Sequence, residues 1–117
     1  MTTPLRVGVV GAGRVGAVLA ARLHAHPDFD VVAVAGASEA SLARAADLLP
    51  GVDVLKPSAV ARACDLLLLT VPDDMLANVA TVLADAGALR EGQYVGHTSG
   101  RHGLAVLDPA ADRGAST

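Results

Sequence analysis

The sequence has one cysteine, Cys64, and one lysine, Lys56. A lone cysteine excludes an internal disulfide and any cysteine-based metal cluster. The eight arginines are scattered and the net charge is −3, so the chain lacks the clustered cations of a nucleic-acid surface and any polybasic membrane patch. No stretch approaches the roughly 18 consecutive apolar residues of a membrane span. The N-terminus, Met1-Thr2-Thr3-Pro4-Leu5-Arg6, has no apolar run of the signal-peptide kind. Internal repeats and low-complexity linkers are also lacking, and His24, His26 and His102 do not have the spacing of metal ligands. A cytoplasmic protein with no nucleic-acid and no membrane partner is expected.

What is present fits a folded domain. With 117 residues, 52% of them apolar and 18% charged, the chain reads as one globular unit over residues 1–117, large enough for a single core. Short apolar runs alternate with helical patterns. Leu5–Val10 reads as a strand ending at a glycine-rich turn, followed by a helix from Arg14 to about Ala25 with Val15, Val18, Leu19 and Leu23 at helical spacing. Pro27 stops that helix, and Val31–Ala35 is a second strand. Ser38 looks like the cap of a second helix, with Leu42, Ala45, Ala46 and Leu49 on one face and Pro50-Gly51 at its end.

Val52–Leu55 is a short third strand, and Pro57 opens a helical turn through Ala63. Leu66–Val71 reads as one continuous run, apolar but for Thr70, as expected of a strand covered on both faces. Asp73 or Asp74 can cap the next helix, whose apolar face is Leu76, Val79, Ala80 and Leu83 and which Gly87 closes. Gln93–His97 is the last clear strand; beyond Ser99-Gly100 the pattern weakens, and 112–117 is polar and small. Strand and helix alternating at this spacing imply right-handed βαβ units. The expected fold is α/β: a three-layer, doubly wound, mainly parallel sheet in the order 3-2-1-4-5, with a crevice between strands 1 and 4.

Four segments are candidates for chemistry. Gly11-Ala12-Gly13-Arg14-Val15-Gly16 follows a strand and opens a helix, the context in which a GxGxxG pattern carries meaning. Gly11 permits the tight turn, Gly13 lets a diphosphate approach the backbone, and Gly16 lets helix and strand pack closely. The free N–H groups of a helix N-terminus, with Arg14 and Val15 in its first turn, suit that anion. The competing reading is a glycine-rich turn that binds nothing.

The second signal is a missing carboxylate. An NAD site commonly has an acidic residue about 20 positions past the last glycine to take the ribose 2′-OH. That count lands in Gly36-Ala37-Ser38, and Glu39 suits a first helical turn better. A small, hydroxyl-bearing loop leaves room for a 2′-phosphate, with Ser38, Ser41, Arg14 or Arg44 as partners, so NADP is expected ahead of NAD. Ser38 and Ser41 acting only as caps is the alternative.

Thr70-Val71-Pro72-Asp73-Asp74 and His97-Thr98-Ser99-Gly100 both follow strands and fall on the ligand side of such a sheet. Val71 and Pro72 can line the ribose or nicotinamide side; Asp73 and Asp74 read as helix caps before catalytic acids. His97 can orient or protonate a carbonyl, and Ser99 can hydrogen-bond substrate or carboxamide. A polar turn with a structurally satisfied His97 competes with that reading. Cys64, just before an apolar strand, reads as buried and inert.

In order and spacing, the glycine motif, Val71-Pro72-Asp73-Asp74 and His97-Thr98-Ser99-Gly100 resemble the N-terminal domain of a two-domain Rossmann-like family of bacterial oxidoreductases. That family is similar to deazaflavin-dependent NADP reductases, pyrroline-5-carboxylate reductase and the 6-phosphogluconate-dehydrogenase-like superfamily. The resemblance covers essentially the whole chain, and His97-Thr98-Ser99-Gly100 is its narrower marker. It implies NADP on the glycine loop and hydride transfer near His97 and Ser99, to or from a small carbonyl, imine or hydroxy substrate.

The resemblance also implies a helical C-terminal domain that completes the substrate pocket and forms the dimer. The chain thus reads as truncated before that domain, inactive alone, with a homodimer left open. Two other readings stand beside the oxidoreductase: a module that senses NAD(P)(H) without turnover, and a domain of this fold with a flavin or adenylated metabolite as ligand.

Overall fold

A computed structural model describes residues 3–11, 14–36, 43, 47, 49, 51–98 and 104–117. Five strands form one parallel sheet: β1 (Leu5–Val10), β2 (Phe29–Ala35), β3 (Asp53–Val54), β4 (Leu66–Leu69) and β5 (Tyr94–His97), in the spatial order β3-β2-β1-β4-β5. The expected order holds. The helices are α1 (Arg14–His24), α2 (Pro57–Ala63), α3 (Asp73–Asp85) and α4 (Asp108–Ala111), with a 3-10 turn at Leu104–Leu107. Ala43 and Asp47 are helical, within the segment expected to form the helix after β2; Ser38, Leu42, Ala45 and Ala46 lie outside the described residues. No helix of the described residues is long and apolar enough to cross a membrane.

The central strands are apolar on both faces because both faces are covered. On β4, Leu67 and Leu69 enter the core under α2 and α3, whereas Leu66 and Leu68 pack against the other core with Val7, Val9, Ala20 and Leu49. On β2 the alternation breaks. Val31 and Val34 share one face, Ala33 and Ala35 the other, because the β1–β2 register shifts between Val7 and Gly8 and passes over Val32. A bulge of one residue inverts the facing of everything beyond it.

Gly8 lets α2 lie close on the sheet: a Cβ there would stand 2.7 Å from Val60 Cγ1 and 2.8 Å from Cys64 Sγ. The amino-terminal edge of the sheet is tied by polar groups. Gln93, fully buried, donates from Nε2 to the carbonyl oxygens of Ala61 (2.7 Å) and Cys64 (3.2 Å), satisfying the end of α2. Arg90 reaches the Cys64 carbonyl oxygen at 2.9 Å, and Asp65 accepts from Arg6 and Arg90. The hydrogen bond from Arg6 holds the Asp65 carboxyl below the usual carboxylate range. These side chains are a third or more exposed, so the pairs add little to stability.

Three local expectations are corrected. The N-cap of α3 is Pro72, without a side-chain cap bond, and Asp73 and Asp74 occupy the first turn, where negative charge suits the helix dipole. Strand β4 stops at Leu69, two residues early, because Thr70 and Val71 begin the turn toward α3. Gln93 precedes β5 and caps α2 instead of extending the strand. The helix closes as expected at Gly87, φ +68, with Ala88 N bonded to Leu83 O and Gly87 N to Ala84 O, the paired bonds of a Schellman end.

Residues 104–117, where the sequence shows no clear pattern, pack against the domain. Leu107 and Ala110 are fully buried, and Ala115 nearly so, in the core under α3. Ser116 then pairs parallel with Tyr94: its N–H donates to Gln93 O and its carbonyl accepts from Val95 N, both at 2.8 Å.

Candidate functional site

The carboxyl ends of four strands align in one row. Val10 pairs with Ala35 on one side and Leu69 on the other, and Leu69 pairs with His97. The row Ala35–Val10–Leu69–His97 spans three strand spacings, about 14 Å. Beyond it the chain turns sharply at Gly11 and enters α1.

Gly11 has φ +100, a conformation open to glycine and strained for other residues. Its position is also closed sterically, since a Cβ would lie 2.9 Å from both the Thr70 carbonyl carbon and Val71 N. Its N–H donates to Ala35 O at 2.7 Å, and its carbonyl oxygen accepts from Thr70 Oγ1. Gly16 lies against the same two groups: a Cβ there would collide with the Gly11 carbonyl oxygen and with Thr70 Oγ1. The first turn of α1 is thereby held against the ends of β1 and β4, with only the Gly11 carbonyl and the Thr70 side chain facing Gly16.

A groove of about 240 Å³ opens beside this turn. It is lined by Val10 and Gly11 from the end of β1, Ala35 and Gly36 from the end of β2, Val71, Met75 and Val79 from α3 and the turn before it, and Pro57 of α2. Each lining residue is apolar or glycine, so the groove suits a flat, weakly polar group.

The candidate residues fall as follows. Gly11 and Gly16 form the tight contact, Arg14 and Val15 are the first residues of α1, Val71 lines the groove and Pro72 caps α3. His97 ends β5, half-buried, at the far end of the row. Gly13, Ser38 and Ser99 lie outside the described residues. The structure thus brings Gly11, Gly16 and Val71 together, and sets His97 two strands away from Val10. Sequence reasoning passed over Pro57, Met75 and the Thr70 hydroxyl. The first two read as ordinary helix residues, and only the place of Thr70 at a strand end beside the crevice could have marked it.

Such a sheet, with a glycine turn leading into a helix across its carboxyl edge, defines a Rossmann-type α/β domain. The chain belongs to the Rossmann-like domain family, which it matches over residues 1–117. Solved structures that share this fold include oxidoreductases. A protein from Sinorhizobium meliloti 1021, assigned provisionally as a myo-inositol dehydrogenase, is 27% identical with a TM-score of 0.70, covering 96% of this chain and 34% of that one. Biliverdin reductase from Synechocystis sp. PCC 6803, in complex with biliverdin and NADP+, is 24% identical with a TM-score of 0.74, covering 97% and 37%. An imine reductase from Pseudomonas sp. is 24% identical with a TM-score of 0.73, covering 95% and 37%. The chain spans about a third of the length of these proteins. No curated protein sequence matches it significantly.

Proposed function

We propose that this chain is the dinucleotide-binding domain of an NAD(P)-dependent oxidoreductase, with NADP as the cofactor. The observation that carries this reading is the Gly11–Gly16–Thr70 contact, closed to a Cβ at either glycine, which lies between the apolar groove and the first turn of α1. A diphosphate needs bare backbone and free N–H groups, and an adenine needs a flat apolar slot. The residues present fit both. Gly11, Gly13, Arg14, Val15 and Gly16 would hold the diphosphate, and Val71 and Pro72 would border the ribose or nicotinamide side.

The preference for NADP rests on the lack of a carboxylate in Gly36-Ala37-Ser38, which leaves Ser38 to meet a 2′-phosphate. Biliverdin reductase, a structure of this fold, is complexed with NADP+. When bound, the cofactor supplies or accepts a hydride at its nicotinamide ring. His97, at the far end of the strand row, would hold or donate the proton that balances hydride transfer to a small carbonyl or imine, and Ser99 would orient that substrate. The chain takes the cofactor part of this work, so binding without turnover is expected of it alone.

Calorimetric titration with NADPH, NADH and FAD tests the reading. NADPH should bind most tightly, and a panel of keto and imino compounds should leave bound NADPH unoxidised. Binding of FAD alone, or of no dinucleotide, would overturn it.

A further inference from the structure

We propose that Thr70 is the positioning residue of the glycine turn: its hydroxyl turns the Gly11 carbonyl away from the path of the diphosphate. This rests on the dinucleotide reading above. Gly11 is held at both ends, by its N–H on Ala35 O of β2 and by its carbonyl oxygen on Thr70 Oγ1 just beyond β4. Thr70 is itself fixed, since its N–H donates to Val10 O at 2.9 Å and its Oγ1 lies 3.2 Å from the same oxygen.

The Gly11 carbonyl oxygen is lodged between Thr70 Oγ1 and the bare Cα of Gly16, so it points into the contact of α1 with the end of β4. A carbonyl oxygen carries partial negative charge. Facing a diphosphate it would repel, whereas bonded to the Thr70 hydroxyl it leaves the anion to N–H groups. The same oxygen and hydroxyl are the two atoms that a Cβ on Gly16 would strike, so the bond also sets how close α1 approaches. A residue without a hydroxyl keeps the strand end but releases the turn.

Thr70→Val keeps the branched shape and removes the donor; Thr70→Ser keeps the donor. NADPH affinity is read by calorimetry, and affinity for adenosine, which has no phosphate, by NMR titration. Thr70→Val should weaken NADPH roughly three- to tenfold, the loss of one hydrogen bond's worth of preorganisation. Thr70→Ser should stay within about twofold of the parent, and adenosine should bind all three proteins alike.

Equal NADPH affinity in Thr70→Val and parent would overturn the inference, as would a serine variant as weak as the valine one. A parallel loss of adenosine and NADPH would reduce Thr70 to a structural role. If Thr70→Val fails to fold by circular dichroism, Thr70→Ala supplies the donor-free comparison. A parent that binds neither NADPH nor NADH removes the dinucleotide reading and this inference together, an outcome distinct from a parent that binds and a variant that does not differ.

Discussion

Gly16 lies against the carbonyl oxygen of Gly11 so closely that no Cβ fits between them. Because that oxygen is backbone, nothing flexible can yield. Gly16→Ala gains about 1 kcal/mol of helix propensity. It incurs overpacking that typically costs about 1–3 kcal/mol, toward the upper end where backbone must move. The collision should win. A lower midpoint in urea is expected, together with loss of dinucleotide binding; a variant as stable as the parent would show that α1 can shift outward freely.

Gly8 presents the opposite case, because its neighbours Val60 and Cys64 are side chains. Gly8→Ala should destabilise by about 1–3 kcal/mol through overpacking under α2. Combining it with Val60→Ala removes one of the two colliding atoms. The double variant should therefore cost less than the sum of the singles, a coupling readable in a double-mutant cycle of urea midpoints.

Gln93→Leu should cost about 1–3 kcal/mol, since it leaves the Ala61 carbonyl without its 2.7 Å donor. Cys64 O keeps Arg90 at 2.9 Å and contributes less to the loss. Gln93→Glu should be worse at neutral pH, because a carboxylate would face the same carbonyl oxygens. Its folded-state pKa would be raised, so the variant should gain stability as pH falls toward 4 and lose it as pH rises. A thermal melt at pH 5 and pH 8 reads the sign.

Burial pushes the Cys64 thiol up to about 11. The unfolded thiol ionises near 8.5. The folded state therefore favours the neutral form, and this contribution is complete below about pH 8.5 and lost as pH rises toward 11. At pH 8 the native protein should react with a thiol reagent far more slowly than the urea-unfolded chain, which should titrate one thiol. Rapid labelling of the native protein would mean that α2 opens readily from the sheet.

Local sequence determined the order of elements as far as β5, the covered strands that begin at Leu5 and Leu66, and the glycine-rich entry to α1. Each is written in periodicity or in a residue type that one backbone conformation demands. Of the candidate residues, the closeness of Gly11, Gly16 and Val71 was legible on that basis, because the glycine spacing and the ends of β1 and β4 bring them to one place. Tertiary structure alone decided what depends on partners far away in the chain. The bulge at Val32 follows from pairing with β1, and it sends Val31 and Val34 to one face against the alternation of their own strand. The burial of Gln93 and the fit at Gly8 exist only because α2 lies where it does. The alignment of His97 with Val10 needed two successive strand registers, and the burial of Leu107 and Ala110 needed α3 to cover them. Periodicity specifies which face of an element is apolar; register and close contact are set by the shape of whatever that face meets.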